Sequence, residues 1–350
     1  MSYAEPESDT RPPTRSRVGV LFIALAALAL LGAMFELFGA EAPPALKTVT
    51  VDFAYYNPGS LVLKRFGWLE EAFRRQGTEV KWVHSAGSNR ALEYLNGNNP
   101  IEYLNGSSVQ FASTAGLSAV LARANGSPIK AVYVYSRPEW TALVVDRDSD
   151  IESIQDLRGK KIAATKGTDP YLFLMRALQS AGIKKSEVEI VNLQHADGRH
   201  AMEQERVDAW AGLDPLMADS EINAGSRLIY RNVAFNTYGF LNVTEKFAEE
   251  HPEAVKTVIE CYERARKWML ENPEKAAGVL AEEAGISPQV ARRQLQRNDF
   301  GNPVIGREHI NALTEASSVL LDEQLVKPGT DVHRVITDLI DPSYVRAVVK

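Results

Sequence analysis

The stretch that decides the fold is ESIQDLRGKKIAATKGTDPYLFLMRALQSAG (Glu152–Gly182), followed after five residues by VEIVNLQHADGRHAMEQERVDAWAGLDP (Val188–Pro215). Its apolar runs and turn residues read as strand, glycine turn, helix, strand, helix, strand. KKIAAT is a short apolar strand, and Lys166, Gly167 and Thr168 follow it as a turn whose glycine allows close backbone approach. Asp169 is a natural helix cap with Pro170 at the first helical position, and Leu172, Leu174, Met175 and Leu178 recur at helical spacing before Gly182 stops the helix. A helix that opens directly from a strand end presents free N–H groups and the positive end of its dipole. That predicts a site for a small anion.

The same alternation extends outward. Val49–Phe53 and Glu79–Val83 read as strands flanking a helix from about Leu61 to Gln76, and Val109–Ala112 as a third strand before a small-residue helix in STAGLSAVLARA. Alternating units of this length predict an open, mainly parallel sheet with helices on both faces and ligands bound beyond the strand carboxyl ends. After about Asn242 the strand signals cease and helical periodicity takes over. This tail is expected to return and pack on the first lobe, making that lobe discontinuous. EYLNG occurs twice, at Glu93–Gly97 and Glu102–Gly106, which reads as a local duplication and not a solenoid.

Composition narrows the function classes. With 350 residues the chain can form two lobes, and 45% hydrophobic with 24% charged residues is ordinary for a globular protein. A net charge of −6, with no basic run interleaved with aromatics, excludes a nucleic-acid surface. The single cysteine, Cys261, excludes an internal disulfide framework, and its amphipathic setting predicts a buried structural thiol. The histidines at 84, 195, 200, 251, 309 and 333 show no metal spacing, and no cofactor is expected. Residues 1–17 form a polar leader containing Arg11, Arg15 and Arg17, and residues 18–40 contain an uncharged run from Val18 to Phe35, either a removed signal peptide or a retained signal anchor. The positive flank places the chain beyond about residue 41 outside the cytoplasm, in the periplasm or its equivalent, with tethering to the inner membrane by residues 18–40 as the alternative.

DLRGKKIA, KGT before a helix, VDAW, DP, STAG at Ser113–Gly116 and LDEQLV near the end together resemble, in order and spacing, the extracytoplasmic solute-binding proteins of ABC importers for aliphatic sulfonates, taurine and nitrate. The resemblance covers roughly Thr48 to the C-terminus. It implies an α/β, two-lobed, type II periplasmic-binding-protein-like fold with a hinge of two crossing segments. Lobe 1 would comprise residues 48–139 plus 238–350, with the helical tail packed on it, and lobe 2 residues 140–237. It further implies a monomeric, non-catalytic receptor that closes on a small anionic solute, most readily a sulfonate, and delivers it to membrane permease and ATPase subunits.

Candidate ligand contacts carried by this likeness are Asn57, Ser88, Ser113 and Thr114 from the first lobe, the last two at a helix start. Thr141, Gly167, Thr168, Asp197 and Asp214 are those from the second, with Tyr56 and Trp140 as cleft walls. Hydroxyls and backbone N–H groups suit a sulfonate without a fixed arginine. Each also has a purely structural reading: Ser113, Thr114 and Asp197 as helix caps, Asp214 as a turn residue, Tyr56 and Trp140 as core. Three positions depart from the pattern. Asn57 stands where the family usually has glutamine, Thr141 where taurine-type members tend to have glutamate, and Asp169 where the helix start is commonly neutral. A carboxylate there would repel a sulfonate unless it is turned away or the ligand also carries a cation. The alternatives are an enzyme on the same fold, thiamine-pyrimidine synthase-like or desulfinase-like, and the sensing lobe of a signalling complex.

Overall fold

The computed structural model describes, apart from Met1, residues 46–96 and 109–349. The second EYLNG copy and the segment 18–40 lie outside the described residues. Within the described residues, no helix is long and apolar enough to cross a membrane.

Eleven described strands form two sheets. The first contains β1 (Thr48–Phe53), β2 (Glu79–His84), β3 (Phe111–Ala115), β4 (Ile129–Pro138), β10 (Gly239–Thr244) and β11 (Asn298–Asp299), in the order β11-β4-β10-β3-β1-β2. The second contains β5 (Leu143–Val145), β6 (Lys161–Ala164), β7 (Glu189–Asn192), β8 (Ala209–Ala211) and β9 (Arg227–Tyr230), in the order β7-β6-β8-β5-β9. The chain passes between the sheets twice, through residues 139–142 and 231–238.

Neither sheet is mainly parallel, and that expectation is corrected. β1 pairs in parallel with β2 and β3, but β10 runs antiparallel to β3 and β4; in the second sheet β5 runs antiparallel to β8 and β9. The reason is the double crossing. A strand that leaves one sheet to enter the other, and a strand that returns, cannot both keep the direction set by right-handed βαβ units. Close packing reinforces the return: a Cβ on Gly239 would lie 2.4 Å from the ring of Tyr135 on β4, so β10 can approach β4 only with glycine there.

The helices in chain order are α1 (Pro58–Phe66), α2 (Trp68–Arg74), α3 (Ser88–Leu95), α4 (Gly116–Ala124), α5 (Asp169–Ser180), α6 (His195–Glu203) and α7 (Leu216–Asp219). The tail adds α8 (Glu245–Glu250), α9 (Pro252–Glu271), α10 (Pro273–Ala284), α11 (Pro288–Gln296), α12 (Arg307–Ala316), α13 (Ser318–Asp322), α14 (Val332–Leu339) and α15 (Ser343–Val348). The single helix expected from Leu61 to Gln76 is two, because Gly67 takes φ +64° and its N–H closes α1 onto Leu63 O and Lys64 O.

The tail packs mostly on the first sheet's lobe, as expected. α9 buries Val255, Val258, Ile259, Tyr262, Ala265 and Met269 along one face against α1. Val255, Val258, Ile259 and Met269 each contribute about 1.5–3 kcal/mol on burial. One short piece crosses over: α13 packs on α5, and Glu323 just after it accepts a hydrogen bond from Tyr171 at 2.5 Å and pairs with Lys185.

Candidate functional site

The site is assembled where helices start from strand ends. β2 leads to α3, β6 to α5 and β7 to α6, so two helices of the second lobe and one of the first begin on the same cleft. Gly87, Asn89 and Arg90 at α3, Thr168 at α5, and Gln194, His195 and Ala196 at α6 line this cleft of about 580 Å³, with Tyr55, Tyr56 and Asp214. None of these three helix starts carries a side-chain cap. Their first-turn N–H groups are therefore not taken by side-chain caps, and the positive ends of the dipoles lie at the cleft. Beneath lies an inner chamber of only about 10 Å³ bounded by Tyr56, Ser88, Trp140, Thr168, Asp169 and His195, too tight to admit a solute in this conformation.

Formal charge contributes little. Arg90 lines the cleft but pairs with Glu93 at 2.7 Å. His195 is buried, which holds its imidazole down to about 4, and burial also lowers His84. Both are neutral at pH 7. The lobes meet across the cleft where Asn89 Nδ2 donates to Lys166 O at 3.4 Å, beside Gly167 in the left-handed region at φ +82°.

Asp169 is not the cap that its position suggests. Thr168 is the residue before the helix, and Asp169 occupies the first helical position. Its carboxylate turns inward and accepts from Trp140 Nε1 at 2.9 Å, Thr237 Oγ1 at 2.8 Å and Thr237 N at 3.3 Å. Trp140 and Thr237 sit on the two crossing segments, so one carboxylate ties both to the start of α5. Thr237 Oγ1 also accepts from Leu117 N at 3.2 Å, and Tyr238 O from Gly116 N at 2.7 Å. The first N–H groups of α4 are thereby occupied by the second crossing. Burial raises the Asp169 carboxyl, against the donors from Trp140 and Thr237.

The floor of the first lobe is a buried polar network. Asn57 Nδ2 donates to Ser113 Oγ at 2.7 Å, Ser113 N and Oγ both donate to Asp52 Oδ1 at 2.9 Å, and Tyr56 OH donates to Ser113 O at 2.8 Å. Burial pushes Asp52 up to about 6 against the Ser113 hydrogen bonds. Ser113 and Thr114 belong to strand β3, not to a helix start, because the bonds from Gly116 and Leu117 to residues 237 and 238 delay α4 to Gly116. Thr114 Oγ1 accepts from Asn242 at 2.8 Å.

The structure brings together Tyr56, Ser88, Trp140 and Thr168 around the inner chamber, and Tyr56, Thr168 and Asp214 along the cleft. Gly167 stands at the cleft edge against Asn89. Asn57, Ser113, Thr114 and Thr141 are fully buried behind these walls, and Asp197 is exposed in the first turn of α6, lining neither cavity. Asp214 accepts from Ala218 N at 2.9 Å and from Arg297 Nη1 at 3.1 Å, joining the second lobe to the tail. Sequence reasoning missed His195, Asn89, Thr237 and Arg297. For His195 a signal existed: it follows strand VEIVN and opens the helix, the position already used to nominate Thr168. For Thr237 and Arg297 there was none, because their partners are 68 and 83 residues away.

The chain matches the family described as NMT1/THI5 like over residues 88–276, more than half its length. It belongs to the NMT1/THI5-like family. Among curated relatives, this family member is 25% identical over 336 residues to a Bacillus subtilis (strain 168) protein named as aliphatic sulfonates-binding, covering 91% of this chain and 95% of that protein. It is 33% identical over 137 residues to the taurine-binding periplasmic protein of Escherichia coli (strain K12), covering 38% of this chain and 42% of that one. The alkanesulfonate-binding protein SsuA from Xanthomonas axonopodis pv. citri, solved bound to MOPS, shares the fold with a TM-score of 0.74 at 20% identity, over 86% of this chain and 99% of that one. The two-lobed α/β fold and the kinship read from the sequence motifs are both met by these matches.

Proposed function

We propose that this NMT1/THI5-like protein captures a small organosulfonate or similar anion between two closing lobes and presents it to the permease and ATPase subunits of an ABC importer, without catalysis. The observation that carries the reading is the convergence of three uncapped helix starts, from both lobes, on one cleft whose lining cation is already paired. Such a cleft stabilises an anion by oriented N–H groups and needs no proton transfer. The names of the relatives support the same solute class. The lobes, residues 48–139 plus 238–350 and 140–237, hinge at the two crossings that Asp169 ties.

Among the nominated residues, Ser88 contacts the anion, Thr168 lines the cleft beside it at the start of α5 with its hydroxyl given to Thr165 O, and Tyr56 and Trp140 are walls. Asn57, Ser113, Thr114 and Thr141 support them from behind, Gly167 leaves room for approach, and Asp214 holds the closed form. The protein acts as a monomer outside the cytoplasm, with residues 18–40 as signal peptide or anchor. Cysteine-based catalysis is disfavoured by the setting of Cys261: it lies on α9, donates to Trp68 O at 3.6 Å, and burial pushes its thiol up to about 12.

The test is a thermal-shift and titration panel on the purified chain with alkanesulfonates, taurine, nitrate, bicarbonate and a pyrimidine phosphate. A sulfonate at 100 times its Kd is expected to add about 2.7 kcal/mol of stability. If no anion binds and the pyrimidine compound does, the transport reading is wrong.

A further inference from the structure

One buried side chain on the cleft is mismatched to a bare anion. His195 is the first residue of α6, is 7% exposed, and borders both the inner chamber and the cleft. Its Nδ1 lies 3.2 Å from Thr165 Oγ1. That hydroxyl donates its own proton to Leu193 O at 2.7 Å, so toward the imidazole it can only accept. The proton therefore sits on Nδ1, and Nε2 is left with its lone pair. The neutral form follows from burial, which holds the imidazole down to about 4.

Nε2 points at Gly87, across the cleft. A Cβ there would touch it at 3.5 Å, and glycine leaves the approach open. The chamber's other groups are committed. Tyr56 donates to Ser113 O, Thr168 to Thr165 O, and Trp140 to Asp169, whose two oxygens are both occupied. Ser88 Oγ accepts from Ala115 N at 3.0 Å, which leaves its proton for an acceptor on the ligand. The helix starts and Ser88 thus offer donors to an anionic head, while Nε2 offers an acceptor beside them. A sulfonate oxygen against that lone pair is repelled. A hydroxyl or ammonium against it forms a hydrogen bond.

We propose, building on the solute-capture reading above, that His195 sets the specificity of this cleft: its unprotonated Nε2 accepts a hydrogen bond from a hydroxyl or ammonium group that the ligand carries near its anionic head. The preferred solutes are then short hydroxyalkyl or aminoalkyl sulfonates, and plain alkanesulfonates are the poor ones.

The experiment titrates the full chain and its His195→Phe and His195→Gln variants with ethanesulfonate, 2-hydroxyethanesulfonate and taurine. The wild type is expected to bind one of the two donor-bearing ligands about tenfold or more tightly than ethanesulfonate, because a site built to accept a hydrogen bond rejects the analogue lacking the donor. His195→Phe is expected to bring the three toward parity, read as the ratio of their affinities within that variant. His195→Gln, whose carbonyl can accept, keeps part of the preference. Equal affinity of the wild type for all three overturns the proposal, as does a preference that survives His195→Phe. Should His195→Phe fail to fold, the wild-type ranking and the glutamine variant still decide. If none of the three binds, this inference falls and the wider anion panel above decides the capture reading, whereas binding without selectivity overturns only the inference.

Discussion

Asp52 shows how a residue chosen for burial acquires a titration. It lies near the end of the alternating strand TVTVDF, fully buried, with Oδ1 accepting twice from Ser113. Its carboxyl is raised from 3.8 to about 6, so its favourable contribution is fully present below pH 3.8 and is lost as pH rises through 6. Asp52→Asn is expected to gain stability relative to the wild type between pH 4 and 7, with a ceiling of about 3 kcal/mol. Paired thermal melts at pH 4, 5.5 and 7 measure this, and the titration of Asp214 cancels in the difference. A difference that stays flat with pH would remove the buried titration. The sequence shows that this strand alternates and carries Asp just before its last residue; nothing in it reveals that Ser113, 61 residues away, supplies both donors.

At the scale of elements, α6 positions His195 through Gly198. A Cβ on Gly198 would lie 2.9 Å from Trp210 Cδ1 and 3.3 Å from Ala163 Cβ, so the helix can rest on β6 and β8 only with glycine at this place. Gly198→Ala is expected to cost about 1–3 kcal/mol by overpacking. Because the displaced helix carries the start of the cleft wall, it should also weaken ligand binding. Urea unfolding and titration check the two effects together, and full stability with unchanged affinity would show that α6 is not held here. The order of strands and helices in the stretch Glu152–Pro215 was readable because period 2, period 3.6 and glycine turns are local properties. The starts of α4 and α5 were misplaced by one to three residues. In both cases hydrogen bonds to the crossing segments, not local capping, set the boundary.

Across the whole molecule, the lobes are joined by charge as well as by chain. Arg297, at the end of α11, pairs with Asp214 at 3.1 Å and with Glu221, linking the tail to the second lobe. Burial keeps Asp214 up at about 6 even beside this cation, so removing the guanidinium leaves a carboxylate poorly solvated. Arg297→Met is expected to destabilise by about 3–5 kcal/mol, and Arg297→Met with Asp214→Asn to recover most of that loss. Chemical denaturation of the single and double variants tests it, and an additive double variant would contradict the coupling.

By itself the sequence determined the α/β class, the helical tail, the absence of a disulfide framework and the candidate positions at strand ends, because these follow from periodicity, composition and turn chemistry along a contiguous chain. Only the tertiary structure decided the mixed direction of both sheets, which the double crossing imposes. It also decided which candidate hydroxyls are walled in: Ser113 and Thr114 bond to the buried Asn57, Asp52 and Asn242, whereas Ser88 lines the chamber with its hydroxyl oxygen accepting from Ala115 N. Asp169 marks the division. Its place at the start of a helix is written in the sequence. Its direction, inward to Trp140 and Thr237, depends on partners 29 and 68 residues away, and a buried carboxylate goes where donors are, not where its own helix begins.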